Sequence, residues 1–188
     1  MEKKQIWKAG NMLYPVPAVM VSCGDQEGKN NIITIAWAGT ICSDPAMVSI
    51  SVRPERYSYS MIQQTGDFVI NLTTKELAYA ADWCGVKSGR DVDKFAAMKL
   101  TPAKGNKVQY APIIEESPVN IECRVTEVKE LGSHHMFLAE VADVLVSEKY
   151  MNETGKFELN QTGLVAYSHG EYFCLGEKLG KFGYSVKK

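Results

Sequence analysis

The 188-residue chain has no apolar run of about 18 residues or more, the length an α-helix needs to cross a bilayer, so no membrane span is expected. It has no excess of positive charge either: 21 Lys and Arg face 22 Asp and Glu, a net charge of −1, which argues against tracking a phosphate backbone, and no nucleic-acid partner is expected. Cysteine is sparse and scattered. Cys23, Cys42, Cys84, Cys123 and Cys174 stand singly, without a C-x-x-C pair or a Cys/His cluster at zinc spacing. That excludes a disulfide framework and a metal centre, and points to a reducing, cytoplasmic interior. The common catalytic signatures are missing too: no G-x-x-x-x-G-K-[ST], no strand-borne G-x-G-x-x-G, no H-E-x-x-H and no G-x-S-x-G. Only three histidines, His134, His135 and His169, are available for acid–base work.

What is present suits one folded domain over residues 1–188, with 45% apolar and 23% charged residues. A chain of this size exposes roughly 9,000 Å² when folded against about 30,000 Å² unfolded, so it can bury a core without staples. Short runs of period-2 alternation, broken by Gly, Pro, Asn and Asp, predict a mainly β fold with peripheral α. Strands are expected at 16–22, 32–37, 47–53, 68–72, 119–131 and 136–146. The last two flank Gly132-Ser133-His134-His135 and read as a long hairpin. Strands of that length curl, and closing into a barrel removes the exposed edges.

Helices are predicted at 56–65, ending on Gly66, from a Thr73 capping box to about Cys84, and over 91–99. Residues 101–117 read as a surface excursion and 176–183 as a loop or terminal arm. Met1 to Cys23 has the outline of a basic n-region, an apolar run and a lipobox, but Pro15 and Pro17 interrupt it, and residues 16–22 read as a first strand.

Three constellations carry possible chemistry. In Met47-Val48-Ser49-Ile50-Ser51-Val52-Arg53 the alternation packs Val48, Ile50 and Val52 on one face and sets Ser49, Ser51 and Arg53 on the other. That second face suits a phosphate, held by an arginine fork, hydroxyls and the N–H groups of the helix that follows Pro54. It equally suits a solvated strand face. In Ser88-Gly89-Arg90-Asp91-Val92-Asp93-Lys94-Phe95 a helix beginning near Asp91 would put Arg90 and Lys94 on one side as a second cationic clip, or as plain charged capping. Asn31-Ile32-Ile33-Thr34-Ile35-Ala36-Trp37-Ala38-Gly39-Thr40 is a strand running into small residues that would let a planar ring approach the backbone. Trp37 in the core and Gly39 in a turn is the alternative.

These stretches, with Ser43-Asp44-Pro45, Pro54-Glu55-Arg56-Tyr57-Ser58, Gly66-Asp67-Phe68-Val69-Ile70-Asn71-Leu72, Gly132-Ser133-His134 and Leu179-Gly180-Lys181-Phe182-Gly183-Tyr184-Ser185, together resemble the flavin reductase-like family with the FMN-binding split barrel, and most closely its flavoredoxin branch. The resemblance covers nearly the whole chain. It implies a closed six-stranded antiparallel split β-barrel with flanking helices, commonly a homodimer with flavin near the interface. It further implies FMN as cofactor, with FAD less favoured, and NAD(P)H as a transient reductant. Ring-side contacts would come from Thr34, Ile35, Ala36, Trp37 and Thr40. Phosphate or ribityl contacts would come from Ser51, Val52, Arg53, Tyr57 and Ser58, with Arg90 and Lys94 as further phosphate ligands. His134 would face the flavin or the reductant. Many relatives read Asp-Pro-Pro where this chain has Asp44-Pro45-Ala46, a change of loop stiffness more than of chemistry. The implied activity passes electrons from reduced nicotinamide through bound flavin to a flavin, a metal complex or a protein; the alternative is a flavoprotein electron carrier between redox partners.

Overall fold

The computed structural model describes residues 2–186 and is mainly β. In chain order the strands are β1 (Val16–Pro17), β2 (Val19–Gly24), β3 (Asn30–Ile35), β4 (Ala38–Ser43), β5 (Ala46–Val52), β6 (Asp67–Leu72), β7 (Pro102–Ala103), β8 (Ile113–Ile114), β9 (Val119–Glu130), β10 (His135–Val146), β11 (Val165–Ser168) and β12 (Glu171–Cys174). The α-helices are α1 (Tyr57–Thr65), α2 (Ala78–Val86) and α3 (Lys94–Met98). Seven antiparallel strands are hydrogen-bonded in the order β3-β2-β6-β9-β10-β5-β4, and a small sheet β1-β11-β12 lies beside them.

The expected closed six-stranded ladder takes a modified form. The hydrogen-bonded order is open, beginning on β3 and ending on β4. These two strands are the arms of one segment bent at Ala36 and Trp37, and Ser51 N donates to Trp37 O across the bend at 2.8 Å. Closure therefore comes from chain continuity, and counting the bent segment once gives six strands. The sequence shows only the first arm, because Ala38-Gly39-Thr40-Ile41-Cys42-Ser43 lacks alternation. The short β11 and β12 were not expected either.

Alternation determines what fills the barrel. Val48, Ile50 and Val52 of β5 meet Val19, Val21 and Cys23 of β2, Phe68 and Ile70 of β6, and Phe137 of β10 in one interior cluster. The opposite faces of β2 and β3 are also covered: Met20 and Ile32 pack with Ala81 and Cys84 of α2 and Phe95 of α3. Covered on both sides, β2 is buried at every position, Ser22 included.

Two helices differ from expectation. The segment after Thr73 is drawn into pairing with residues 163–165, through Lys75 N to Gly163 O at 2.9 Å and Val165 N to Thr73 O at 3.1 Å. Tertiary pairing thus displaces the capping box, and α2 starts at Ala78 without a side-chain cap. The third helix spans only Lys94–Met98, capped by Asp93, whose carboxylate accepts Ala96 N at 3.1 Å. Arg90 consequently lies outside it, and the Arg90–Lys94 clip is not a pair on one helix face.

The excursion between α3 and β9 is strapped down by two carboxylates on neighbouring strands. Asp67 of β6 accepts the backbone N–H groups of Gln109, Tyr110 and Ala111 at 2.9, 3.2 and 3.0 Å. Fully buried Glu122 of β9 accepts those of Asn106, Lys107 and Val108. Gly105 makes this approach possible, since a Cβ there would lie 2.4 Å from the Glu122 carboxylate. Glu122→Gln keeps the shape but replaces charge-assisted bonds and turns an amide donor toward donors. We predict a loss of about 1–3 kcal/mol, read as a lower urea midpoint; an unchanged midpoint would contradict the strap.

Candidate functional site

The turn from β5 into α1 organises the site. Arg56 N bonds back to Arg53 O at 3.0 Å, which closes a tight turn between the strand and the helix. Arg56 is the extended residue before α1 and makes no side-chain cap, so the first N–H groups of the helix, at Tyr57 and Ser58, face outward with the positive end of its dipole. Two cavities flank this turn and share Ile33 and Arg56 as walls.

The first, about 280 Å³, has Asn31, Ser58 and Lys94 on its deep side and Arg56, Lys87, Ser88 and Arg90 around it. Asn31 Nδ2 donates to Ser58 Oγ at 2.8 Å, tying β3 to α1. Gly89 passes so close to Asn31 that a Cβ would come within 2.1 Å of its side-chain oxygen. Arg90 donates to Glu55 O at 3.2 Å and lies 5.3 Å from the Tyr57 ring, with Lys29 at 4.8 Å from the same ring. Tyr57 therefore braces Arg90 by a cation–π contact.

Lys94 is the unusual member. Its side chain is buried at 4% exposure, and its ammonium donates to Ile32 O at 2.6 Å and Cys84 O at 2.7 Å, joining α3 to β3 and α2. Among the described residues it has no carboxylate partner. Burial, and then the Arg56 cation, lower its pKa below the ordinary value near 10.5. Glu55 is the one acidic residue of the cavity wall, against the cations Arg56, Lys87, Arg90 and Lys94.

The second cavity, about 160 Å³, is lined by Thr34, Ile35, Ala36 and Trp37 on one side and Ser51, Val52, Arg53 and His134 on the other. Because β3 ends the ladder, one edge of it carries backbone groups without a strand partner. Ile32 O points to that edge, where Lys94 takes it, and the period of two puts the peptide groups of Thr34 and Ala36 on the same side. The Thr34 hydroxyl itself is committed to Ala81 O, pinning α2 to β3. Alternation along the hairpin separates the two adjacent histidines. His135 pairs with Tyr59 Oη at 2.8 Å. His134 lines the cavity with its Nδ1 2.9 Å from Ser133 Oγ. Burial, then the Arg53 cation, lower the His134 pKa and favour the neutral ring.

Of the residues predicted from sequence, Thr34, Ile35, Ala36, Trp37, Ser51, Val52, Arg53 and His134 thus line one cavity, and Tyr57, Ser58, Arg90 and Lys94 the other. Arg53, expected among the phosphate or ribityl contacts, lines the Trp37 cavity and is paired with Glu55 at 3.5 Å. Thr40 is exposed on β4 and lines neither cavity. Asn31, Arg56, Lys87 and Ser88 were not singled out. Arg56 was detectable as a cation at a helix start; Asn31 and Lys87 carry no local signal.

Residues 11–175 match the family model described as Flavin reductase like domain. The structure is similar to the flavoredoxin of Desulfovibrio vulgaris (Miyazaki F), with a TM-score of 0.90 and 33% identity over 98% of this chain and 100% of that one. It is also similar to the flavoredoxin from Methanosarcina acetivorans, with a TM-score of 0.87 and 26% identity over 98% of this chain and 100% of that one. A flavin reductase of Pseudomonas putida is 23% identical, covering 72% of this chain and 76% of its own length.

A depressed lysine pKa in the fold means that the unfolded chain binds the proton more tightly. The burial penalty is full below the folded pKa and is relieved as pH rises from there toward 10.5. We predict that the flavin-free protein gains stability relative to Lys94→Met as pH is raised through that window, measured by urea midpoints. A pH-independent difference between the two would show that the ammonium carries no such penalty.

Proposed function

The chain belongs to the flavin reductase-like family, and from that membership we propose that it is an FMN-binding oxidoreductase that takes electrons from a reduced nicotinamide and delivers them to a flavin, a metal complex or a protein. The observation that carries the reading is Lys94, a buried cation without a carboxylate, set beside Arg56, Arg90 and an open helix N-terminus. An isolated buried charge costs several kcal/mol. A terminal phosphate of about −1.5 to −2 charge offsets that cost and fits these donors.

In this reading Lys94, Arg56, Arg90, Ser58 and the first N–H groups of α1 hold the phosphate, while Tyr57 braces Arg90. The free edge of β3 at Thr34 and Ala36 presents peptide donors and acceptors to the polar edge of the ring. Ile35, Trp37 and Val52 line the ring cavity, and Ser51 and Arg53 supply a hydroxyl and a cation beside it. When bound, the isoalloxazine supplies the redox chemistry, accepting hydride and releasing electrons singly or in pairs. His134, held by Ser133 and kept neutral, orients the reductant at the cavity mouth.

FMN is favoured over FAD in this reading because the cation cluster would receive one terminal phosphate. The D. vulgaris structure, titled flavoredoxin, supports a second reading as an electron carrier between protein partners. Slow bleaching by NADH or NADPH with fast exchange to a redox protein would favour it. A homodimer in the cytoplasm completes the proposal. The dimer is supported by the accessible surface of 12332 Å², well above the roughly 9,000 Å² of a monomer this size, with Ile6, Trp7, Leu13, Leu179 and Phe182 exposed on the two terminal arms.

Removing one charged hydrogen-bond partner of the phosphate costs about 1.5–3 kcal/mol, so Arg56→Ala is expected to weaken FMN roughly 10- to 150-fold and riboflavin far less. Equal weakening of the two ligands by calorimetric titration would remove the phosphate from this cavity. His134→Ala is expected to bind FMN normally and to bleach more slowly with nicotinamide in anaerobic stopped flow; an unchanged rate would return His134 to the hairpin as a structural residue.

A further inference from the structure

An aromatic file starts on the wall of the second cavity. Trp37, on the cavity wall, has its ring centroid 6.1 Å from that of Tyr14; Tyr14 is 6.2 Å from Tyr167, and Tyr167 is 5.5 Å from Tyr172. These separations place each ring against the next. All four rings are half-buried. The file is built by the small sheet, in which β1 pairs with β11 and Tyr167 lies opposite Tyr172 in the β11–β12 register. It ends at a proton acceptor: Tyr172 Oη donates to Asp82 Oδ1 of α2 at 3.2 Å, and Asp82 is exposed. No step of the function proposed above uses these tyrosines.

We propose that Trp37, Tyr14, Tyr167 and Tyr172 form a radical-transfer chain that carries a one-electron oxidising equivalent from the ring cavity to Tyr172, with Asp82 as the terminal proton acceptor. Its starting point rests on the reading that the flavin ring occupies the Trp37 cavity; the chain itself does not. Indole and phenol are the side chains that give up single electrons without breaking a carbon framework, and a phenol able to release its proton is the easier to oxidise at neutral pH. The steps balance as follows. A one-electron oxidant at the cavity, a photoexcited flavin or an added radical, takes one electron from the Trp37 indole. Tyr14 refills Trp37, Tyr167 refills Tyr14 and Tyr172 refills Tyr167. The Trp37 indole and the two intermediate phenols, all partly exposed, give their protons to water on oxidation and take them back on reduction. At Tyr172 the O–H bond breaks, the proton passes to the Asp82 carboxylate, and a neutral tyrosyl radical remains while the oxidant holds the electron. In the resting state burial and Asp82 push the Tyr172 pKa up to about 12, so the phenol stays protonated until it is oxidised.

The chain holds three tryptophans, so a Trp7→Phe, Trp83→Phe background leaves Trp37 alone. Pulse radiolysis of the flavin-free protein with azidyl radicals is expected to show the indolyl signal decaying into a tyrosyl signal at a rate independent of protein concentration. Tyr14→Phe is expected to slow that step tenfold or more, and Tyr172→Phe or Asp82→Asn to lower the final tyrosyl yield. A rate unaffected by Tyr14→Phe, or one proportional to protein concentration, overturns the chain. If the double background is unstable, Tyr14→Phe in the otherwise native protein gives the same comparison. With FMN bound, Trp37→Phe is expected to lengthen the flavin fluorescence lifetime several-fold. FMN that binds yet keeps its lifetime overturns the link to the cavity, whereas failure of FMN to bind the native protein overturns the proposed function and leaves the radiolysis result standing.

Discussion

The site depends on one buried ammonium. Lys94 joins three elements by donating to a carbonyl of β3 and another at the end of α2, and it does so from the first residue of α3. Both carbonyls would otherwise lack partners, so the lysine satisfies local backbone groups while leaving its charge uncompensated. The structure accepts a penalty that a phosphate would offset. This links stability to ligand: whatever binds the folded cradle and not the unfolded chain shifts folding toward the native state.

The other site features follow from the way the barrel is finished. A ladder closed by strand pairing would leave no free edge beside β3, and no cavity against its backbone. Here the strand bends at Ala36 and Trp37 and changes partner from β2 to β5. The bend leaves unpaired peptide groups on one side and sets Trp37 between the cavity and the small sheet. Around the turn after β5, Arg56 borders both cavities and Arg53 only the one beside Trp37. Bend and turn together set two cavities side by side, one ringed by Arg56, Lys87, Arg90 and Lys94 and the other walled by Ile35, Trp37 and Val52.

Much of this was readable from the chain because alternation is a strong signal where one face packs inward. The pattern Val48, Ile50, Val52 against Ser49, Ser51, Arg53 described β5 correctly, and the long hairpin around Gly132 was evident. The failures came where tertiary partners overrode local preference. Thr73 carries a capping-box pattern but is drawn into pairing with residues 163–165, and β4 is a strand because β5 lies beside it, not because Ala38-Gly39-Thr40 favours one. Within the site, residue types were easier to read than their assignment to subsites. Arg53 and Arg56 are three apart, and only the folded turn shows that Arg56 reaches both cavities while Arg53 lines one. Nothing in the sequence marks Lys94 as buried, since its burial depends on α2 and β3 converging on it.

The account is tested most directly by the titration of Lys94 itself. Side-chain NMR of lysine labelled at Cε, assigned with Lys94→Met, follows its pKa in the flavin-free protein, with riboflavin and with FMN. The account predicts a pKa below the ordinary 10.5 in the free protein, little change with riboflavin, and an upward move with FMN. A lysine that titrates normally in the free protein, or responds equally to both ligands, would contradict it.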